Sequence, residues 1–155
     1  MPYDDSLLRK LLIDAMRGDH AHIDFESAVA DFPPDKRGAK PAGAPHSAWE
    51  LLEHMRLAQH DILEFSRNPD HKSPKWPEGY WPETQDPPNA GAWGDSVKAF
   101  EKEARALDRL MRDSDQDLFK RFEHGKGQTL LREALLVATH NSYHLGQLMF
   151  LKKSV

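Results

Sequence analysis

The sequence contains no cysteine. This absence excludes a disulfide scaffold, a thiolate zinc site, an iron–sulfur cluster and a cysteine nucleophile. The chain does contain nine histidines, so histidine must supply any borderline metal ligand that the chemistry requires. A chain of 155 residues buries enough surface to fold without disulfides or a structural metal. We therefore expect any metal in this protein to be functional.

Basic residues are fewer than acidic ones. The sequence has 21 Lys and Arg and 25 Asp and Glu, which gives a formal net charge of −4. The charges are spread along the chain and leave no electrostatic footprint for nucleic acid, so we expect no nucleic-acid partner. No apolar run approaches the roughly 18 residues of a membrane helix, and the N-terminus lacks the features of a signal peptide. We therefore expect a cytoplasmic protein that binds no membrane.

Strand-like alternation of polar and apolar residues is also missing, whereas apolar residues recur at helical spacing in four long segments. The pattern predicts an all-α four-helix bundle, formed by residues 1–155 as a single domain. Helices are predicted over about residues 5–18, 47–67, 95–113 and 129–152, with a shorter helical piece over about 22–30. The apolar residues of the last helix are predicted to lie on or beside one face, and they include Leu131, Leu135, Leu145 and Leu148.

Two helix starts carry capping signals. Ser47 and Glu50 have the spacing of a capping box, in which each side chain accepts a hydrogen bond from the backbone amide of the other residue. Asp95 is a suitable N-cap for the third long helix.

His140 and His144 lie four residues apart in the last helix. At this spacing the two side chains are about 40° apart around the helix axis and about 6 Å apart along it, so both imidazoles can reach one metal ion. The alternative is two polar residues on a solvated face. Ala138, Leu145 and Leu148 place part of this face against the core, where an unpaired imidazole is penalised.

A third histidine, His54, lies among Leu51, Met55 and Ala58 in the second long helix and is therefore directed inward. A single histidine on an apolar face is more often a satisfied core residue than a ligand. Three inward histidines on two helices are better explained by one divalent metal ion. Three imidazoles leave coordination positions open, which is typical of a catalytic or ligand-binding site.

Two segments resemble the metal motifs of the DinB/YfiT-like superfamily: residues 46–54 (HSAWELLEH) and residues 140–147 (HNSYHLGQ). Residues 76–82 and 127–133 resemble its DinB-like branch. The resemblance implies a four-helix bundle with up-down-down-up topology and a homodimeric protein. It also implies that the metal ligands are His54, His140 and His144.

Relatives in this superfamily include thiol S-transferases, maleylpyruvate isomerases and proteins labelled metal-dependent hydrolases. The resemblance therefore implies a metal-dependent enzyme of the thiol S-transferase or hydrolase type that acts on a small molecule. Zn²⁺ or Ni²⁺ on three imidazoles can lower the pKa of a bound water toward about 7 or stabilise a thiolate. Because the chain lacks cysteine, that thiol would be a low-molecular-weight cosubstrate such as mycothiol, bacillithiol or glutathione. Two alternatives remain: a non-catalytic dimeric ligand-binding or sensor module, and a bundle whose inward histidines bind no metal.

Further residues near these motifs have two interpretations each. Glu50 can act as a base or orient a ligand, although its capping role already explains it. Gln147 can line the site or form an ordinary interhelical hydrogen bond. Asn141 and Tyr143 flank the histidines, but their helix phase directs them away from the metal, toward packing or solvent.

The segment over residues 69–88 contains six prolines. It is too proline-rich for a helix and, with Trp76, Tyr80 and Trp81, too aromatic for a flexible linker. We expect an ordered loop between the second and third long helices that packs on the bundle. Its aromatic side chains either wall a substrate pocket over the metal or anchor the loop.

The remaining histidines are expected to stay outside the site. His60 follows His54 by six residues, which turns it about 240° around the helix. Solvated side chains are expected for the others, which are His20, His22, His46, His71 and His124.

Overall fold

The computed structural model describes residues 4–18 and 21–154. Over these ranges the chain is all-α, as predicted, with one isolated backbone bridge between Arg121 and Thr129. The five α-helices are α1 (Asp5–Arg17), α2 (Phe25–Val29), α3 (Ala48–Arg67), α4 (Ala92–Arg112) and α5 (Leu130–Ser154). The up-down-down-up order of the four long helices remains a prediction.

Helix α3 begins with the predicted capping box. The Ser47 hydroxyl accepts a hydrogen bond from the Glu50 amide at 3.2 Å, and a Glu50 carboxylate oxygen accepts one from the Ser47 amide at 2.7 Å. These contacts satisfy first-turn amides that have no partner within the helix. The cap thereby fixes the start of the helix that carries His54.

Helix α4 begins three residues earlier than predicted, so the assignment of Asp95 as its N-cap is wrong. The Asn89 side-chain oxygen accepts hydrogen bonds from the amides of Gly91 and Ala92, at 2.9 and 3.0 Å. Asp95 lies in the first turn instead, where its charge is favourable beside the helix N-terminus. The earlier start brings Trp93 into the helix, and its side chain is buried in the core.

Helices α3 and α5 run in opposite directions where they pack together. His54 meets His140, whereas Ile62, two turns further along α3, packs in one cluster with Val137 of α5. Residues that follow His54 on α3 therefore lie beside residues that precede His140 on α5. This pairing decides which side chains share a cavity with the histidines.

The leucines of α5 are divided between two faces, which corrects the expectation of a single apolar face. Leu148 is fully buried, whereas Leu135 is 48% exposed. Leu148 follows Leu135 by 13 positions, which corresponds to about 220° around the helix axis, so the two side chains cannot share a face.

Among the described residues, no helix combines the length and the apolar character that crossing a membrane requires.

The two leucines of α5 allow a matched test of the packing. Leu148→Ala is expected to lower the free energy of unfolding by about 2–5 kcal/mol, because it leaves a cavity in the core. Leu135→Ala is expected to lower it by less than about 0.5 kcal/mol. Urea denaturation followed by circular dichroism measures both values. Equal losses for the two variants would contradict this orientation of α5.

Candidate metal centre

Three histidines converge between α3 and α5. The imidazole nitrogens of His54, His140 and His144 that could bind an ion all lie within 4.8 Å of one another. His54 and His144 are 2% and 7% exposed, and His140 is partly buried. The helix phases that predicted an inward direction for each residue thus bring the three rings together.

A backbone carbonyl of the loop determines which nitrogen of His54 carries the proton. His54 Nδ1 lies 2.8 Å from the Tyr80 carbonyl oxygen. A carbonyl can only accept, so Nδ1 donates the hydrogen bond and Nε2 keeps its lone pair. His54 Nε2 lies 3.0 Å from His140 Nε2. Two nitrogens this close require a proton or a cation between them.

Gln147 has the same effect on His144. The side-chain oxygen of Gln147 lies 2.7 Å from His144 Nδ1, so His144 donates there and its Nε2 remains free. The sequence left two roles for Gln147, lining the site or forming an interhelical hydrogen bond. Its hydrogen bond is made within α5, to His144, and the residue lines the cavity beside the three rings. Such outer hydrogen bonds are the usual means of orienting metal-binding histidines.

Trp81 is enclosed between two imidazole rings. Its ring centroid lies 3.9 Å from that of His54, with 3° between the planes, and 4.0 Å from that of His46, with 20° between the planes. The tryptophan therefore anchors the loop, and its stacking fixes the plane of the His54 ring. The expectation that His46 is solvated is wrong, because the loop covers this residue just before the α3 cap.

Asp61 holds two loop residues against α3. Its two carboxylate oxygens accept hydrogen bonds from His71 Nε2 and the Tyr80 hydroxyl, each at 2.7 Å. Burial, together with the Asp61 carboxylate, raises the pKa of Tyr80 to about 12, so the phenol stays protonated and donates. His71 was expected to be solvated, but its side chain is only 16% exposed because Asp61 binds it.

Sequence reasoning missed Asp61, although a local signal was available. Asp61 follows His54 by seven residues and therefore lies two turns further along the same face of α3. An acidic residue on the inward face of a histidine-bearing helix needs a partner. The partners, His71 and Tyr80, belong to the loop, and helical spacing does not predict the path of that loop.

Burial keeps the three central histidines neutral. Loss of solvent, reinforced by the neighbouring imidazoles, lowers the pKa of His140 to about 4. Burial lowers the pKa of His144 to about 4 and also lowers that of His54. At neutral pH each ring therefore has an unprotonated nitrogen, which is the form that binds a metal.

These three residues fit a divalent metal ion. In a tetrahedral zinc site with Zn–N bonds of about 2.0–2.1 Å, ligand nitrogens lie about 3.3 Å apart. The observed 3.0 Å between His54 Nε2 and His140 Nε2 is close to that spacing. Two of the three Nδ1 atoms are engaged by Tyr80 and Gln147, which directs the Nε2 atoms toward one another.

A cavity of about 570 Å³ lies beside the three rings. This volume is within the usual range of small-molecule sites. Trp76, Tyr80, Trp81 and Gln147 line it. That they enclose a substrate remains a prediction.

Glu50 does not line this cavity. Burial raises the pKa of its carboxyl, but the Lys40 ammonium and the Ser47 amide lower it more, so the net pKa is below the usual value. Glu50 is therefore an ionised residue that is engaged in the α3 cap.

The remaining candidate residues lie in three different environments. Asn141 is buried and donates a hydrogen bond to the Gln59 side chain at 3.2 Å. Tyr143 is exposed, yet it lines the cavity and its ring lies edge-on to His144 at 5.0 Å, so it does not point away from the site. His60 stays outside the site, as predicted, and contacts Glu103.

Two more histidines, His22 and His124, are exposed, as predicted. The expectation for His20 falls outside the described residues.

The chain matches the model of the DinB superfamily over residues 19–148, and it belongs to this superfamily. Members of the superfamily typically bind a metal. No curated protein and no solved structure matches the chain significantly.

The contact between Tyr80 and Asp61 can be tested without a metal. Tyr80→Phe removes only the hydroxyl and is expected to lower the free energy of unfolding by about 1.5 kcal/mol, the low end for a hydrogen bond to a charged group. Tyr143→Phe is the matched control, because its ring is exposed, and no change is expected. Thermal and urea denaturation of both variants measure the difference. Identical curves for Tyr80→Phe and the parent chain would show that this hydrogen bond does not stabilise the fold.

Proposed function

We propose that this protein is a metal-dependent enzyme that binds one divalent ion through His54, His140 and His144 and acts on a small molecule in the adjacent cavity. The observation that carries the proposal is the convergence of three neutral imidazoles, each with an unprotonated nitrogen, beside a cavity of about 570 Å³. Zn²⁺ and Ni²⁺ are the favoured ions, because imidazole suits both. Such an ion supplies Lewis acidity, which favours deprotonation of a water or thiol near neutral pH.

The chain's own residues orient the ligands and restrict solvent. The Tyr80 carbonyl and the Gln147 side chain hold protons at Nδ1 of His54 and His144, which keeps the opposite nitrogens available. Trp81 fixes the ring plane of His54 and covers it from water. In other metal sites, removal of outer hydrogen bonds of this kind lowers metal affinity about 10- to 100-fold.

The reaction that we favour is of the thiol S-transferase or hydrolase type. Both types need a nucleophile that is activated near neutral pH, and the chain has no cysteine to provide one. The nucleophile is therefore water or the thiol of a small cosubstrate. The homodimer and the cytoplasmic location implied at the level of sequence remain predictions.

One observation favours the alternative of a non-catalytic ligand-binding or sensor module. Among the described residues that line the cavity, Asp61 is the only carboxylate, and both of its oxygens already accept hydrogen bonds. A reaction that needs a separate carboxylate base would lack one here. Ligand binding without turnover does not require such a base.

Metal content tests the site directly. The purified chain is expected to bind about one Zn²⁺ or Ni²⁺ per molecule, measured by elemental analysis and titration calorimetry. His54→Ala, His140→Ala and His144→Ala are each expected to lose this binding, because each removes one ligand. His60→Ala is the control on α3 and should keep full binding.

Absence of bound metal after loading, or equal binding by the three variants, would refute the site. A bundle whose inward histidines bind no ion would then be the better description.

Turnover separates the two functions. The metal-loaded chain is expected to form product either from a thiol (bacillithiol, mycothiol or glutathione) with an electrophile, or from simple esters or amides. Product formation should disappear in His140→Ala, because the metal is lost. Stabilisation by a ligand without product in any of these assays would favour the sensor module instead.

A further inference from the structure

The wall of the cavity away from the three histidines carries three apolar side chains and the Asp61 carboxylate. Ala58 and Ile62 follow His54 by one and two turns of α3, and Leu136 precedes His140 by one turn of α5. Because α3 and α5 run in opposite directions, these three side chains lie on the same side of the histidines. All three line the cavity. The apolar region therefore extends about 6–12 Å from the histidines along the helix axes.

Two exposed aromatic side chains also border this cavity. Trp76 is 67% exposed and Tyr143 is 65% exposed, and both line the cavity. The Tyr143 ring lies 5.0 Å from that of His144, and the Trp76 ring lies 5.5 Å from that of Tyr80. Large aromatic rings of this kind at the rim of a concave site give contact area to a flat apolar ligand.

The fixed charge on the cavity wall is negative, because Asp61 is the one carboxylate among the described lining residues. Among the described residues that line the cavity, none is Lys or Arg, so an anionic substituent would find no positive partner on the wall. The Asp61 carboxylate would repel such a group. Positive charge is expected only at the histidines, where an ion binds.

From this lining we propose that the site selects a ligand whose tail is flat, apolar and free of anionic groups. Its metal-binding group lies at the histidines, and its tail lies along Ala58, Ile62 and Leu136 beneath Tyr143. The inference rests on the proposed metal site and specifies the class of substrate. It disfavours a substrate or thiol cosubstrate that carries carboxylates in this part of the cavity.

Hydroxamates that share one metal-binding group and differ in the tail provide the test. Acetohydroxamate has the shortest tail, benzohydroxamate adds a phenyl ring, and a third probe carries a carboxylate on its tail. With the zinc-loaded chain, titration calorimetry is expected to give a dissociation constant about tenfold lower for benzohydroxamate than for acetohydroxamate. The carboxylate probe is expected to bind no more tightly than acetohydroxamate.

Two matched pairs of variants locate the tail. Leu136→Gln is expected to remove most of the tenfold gain of benzohydroxamate while acetohydroxamate still binds, and Leu135→Gln on the outer face should leave the gain unchanged. Tyr143→Ala is expected to reduce the gain about threefold. Phe150→Ala is its control, because Phe150 is equally exposed on α5 but does not line the cavity.

The outcomes separate the inference from the metal site. If acetohydroxamate binds in a zinc-dependent way and the phenyl ring adds nothing, or the carboxylate probe binds best, the substrate class is refuted and the metal site stands. Loss of the phenyl gain in Leu135→Gln and Phe150→Ala as well as in their partners would also refute it. If no probe shows zinc-dependent binding, the open metal site fails, and the substrate class fails with it.

Discussion

The hydrogen bond from His54 to the Tyr80 carbonyl is the interaction on which the centre depends. This hydrogen bond keeps the proton of His54 on Nδ1, so the unprotonated Nε2 of the same ring faces His140. The same loop residue is held by Asp61 through its hydroxyl, and the next residue stacks on the His54 ring. The loop is therefore part of the centre, and the bundle alone would supply three rings without a defined orientation for the first of them.

The histidine cluster has an energetic cost that an ion can offset. Three imidazoles are removed from water, and the lowered pKa values of His140 and His144 express that loss of solvation. Binding of a divalent ion to the folded chain would replace the lost solvent contacts and would shift the folding equilibrium by mass action. The proposed metal binding would therefore be coupled to the stability of the α3–α5 pair.

Sequence reasoning predicted the elements that depend on local spacing. The all-α class, the capping box of Ser47 and Glu50, and the inward direction of His54, His140 and His144 all follow from helix periodicity within one segment. The contacts of His46 and His71 could not be predicted in this way, because they depend on where residues 68–91 cross the bundle. The early start of α4 was missed for a similar reason: the capping oxygen belongs to Asn89, within a proline-rich segment without periodicity.

The enclosure of Trp81 between two imidazoles limits how the cavity can open. A loop that lifted from the bundle would separate this ring from His54 and withdraw the Tyr80 carbonyl, so the orientation of a metal ligand would be lost at the moment of substrate entry. Because Trp81 ties the loop to the bundle, a ligand is expected to enter past exposed lining side chains such as Trp76 and Tyr143, without displacement of the loop.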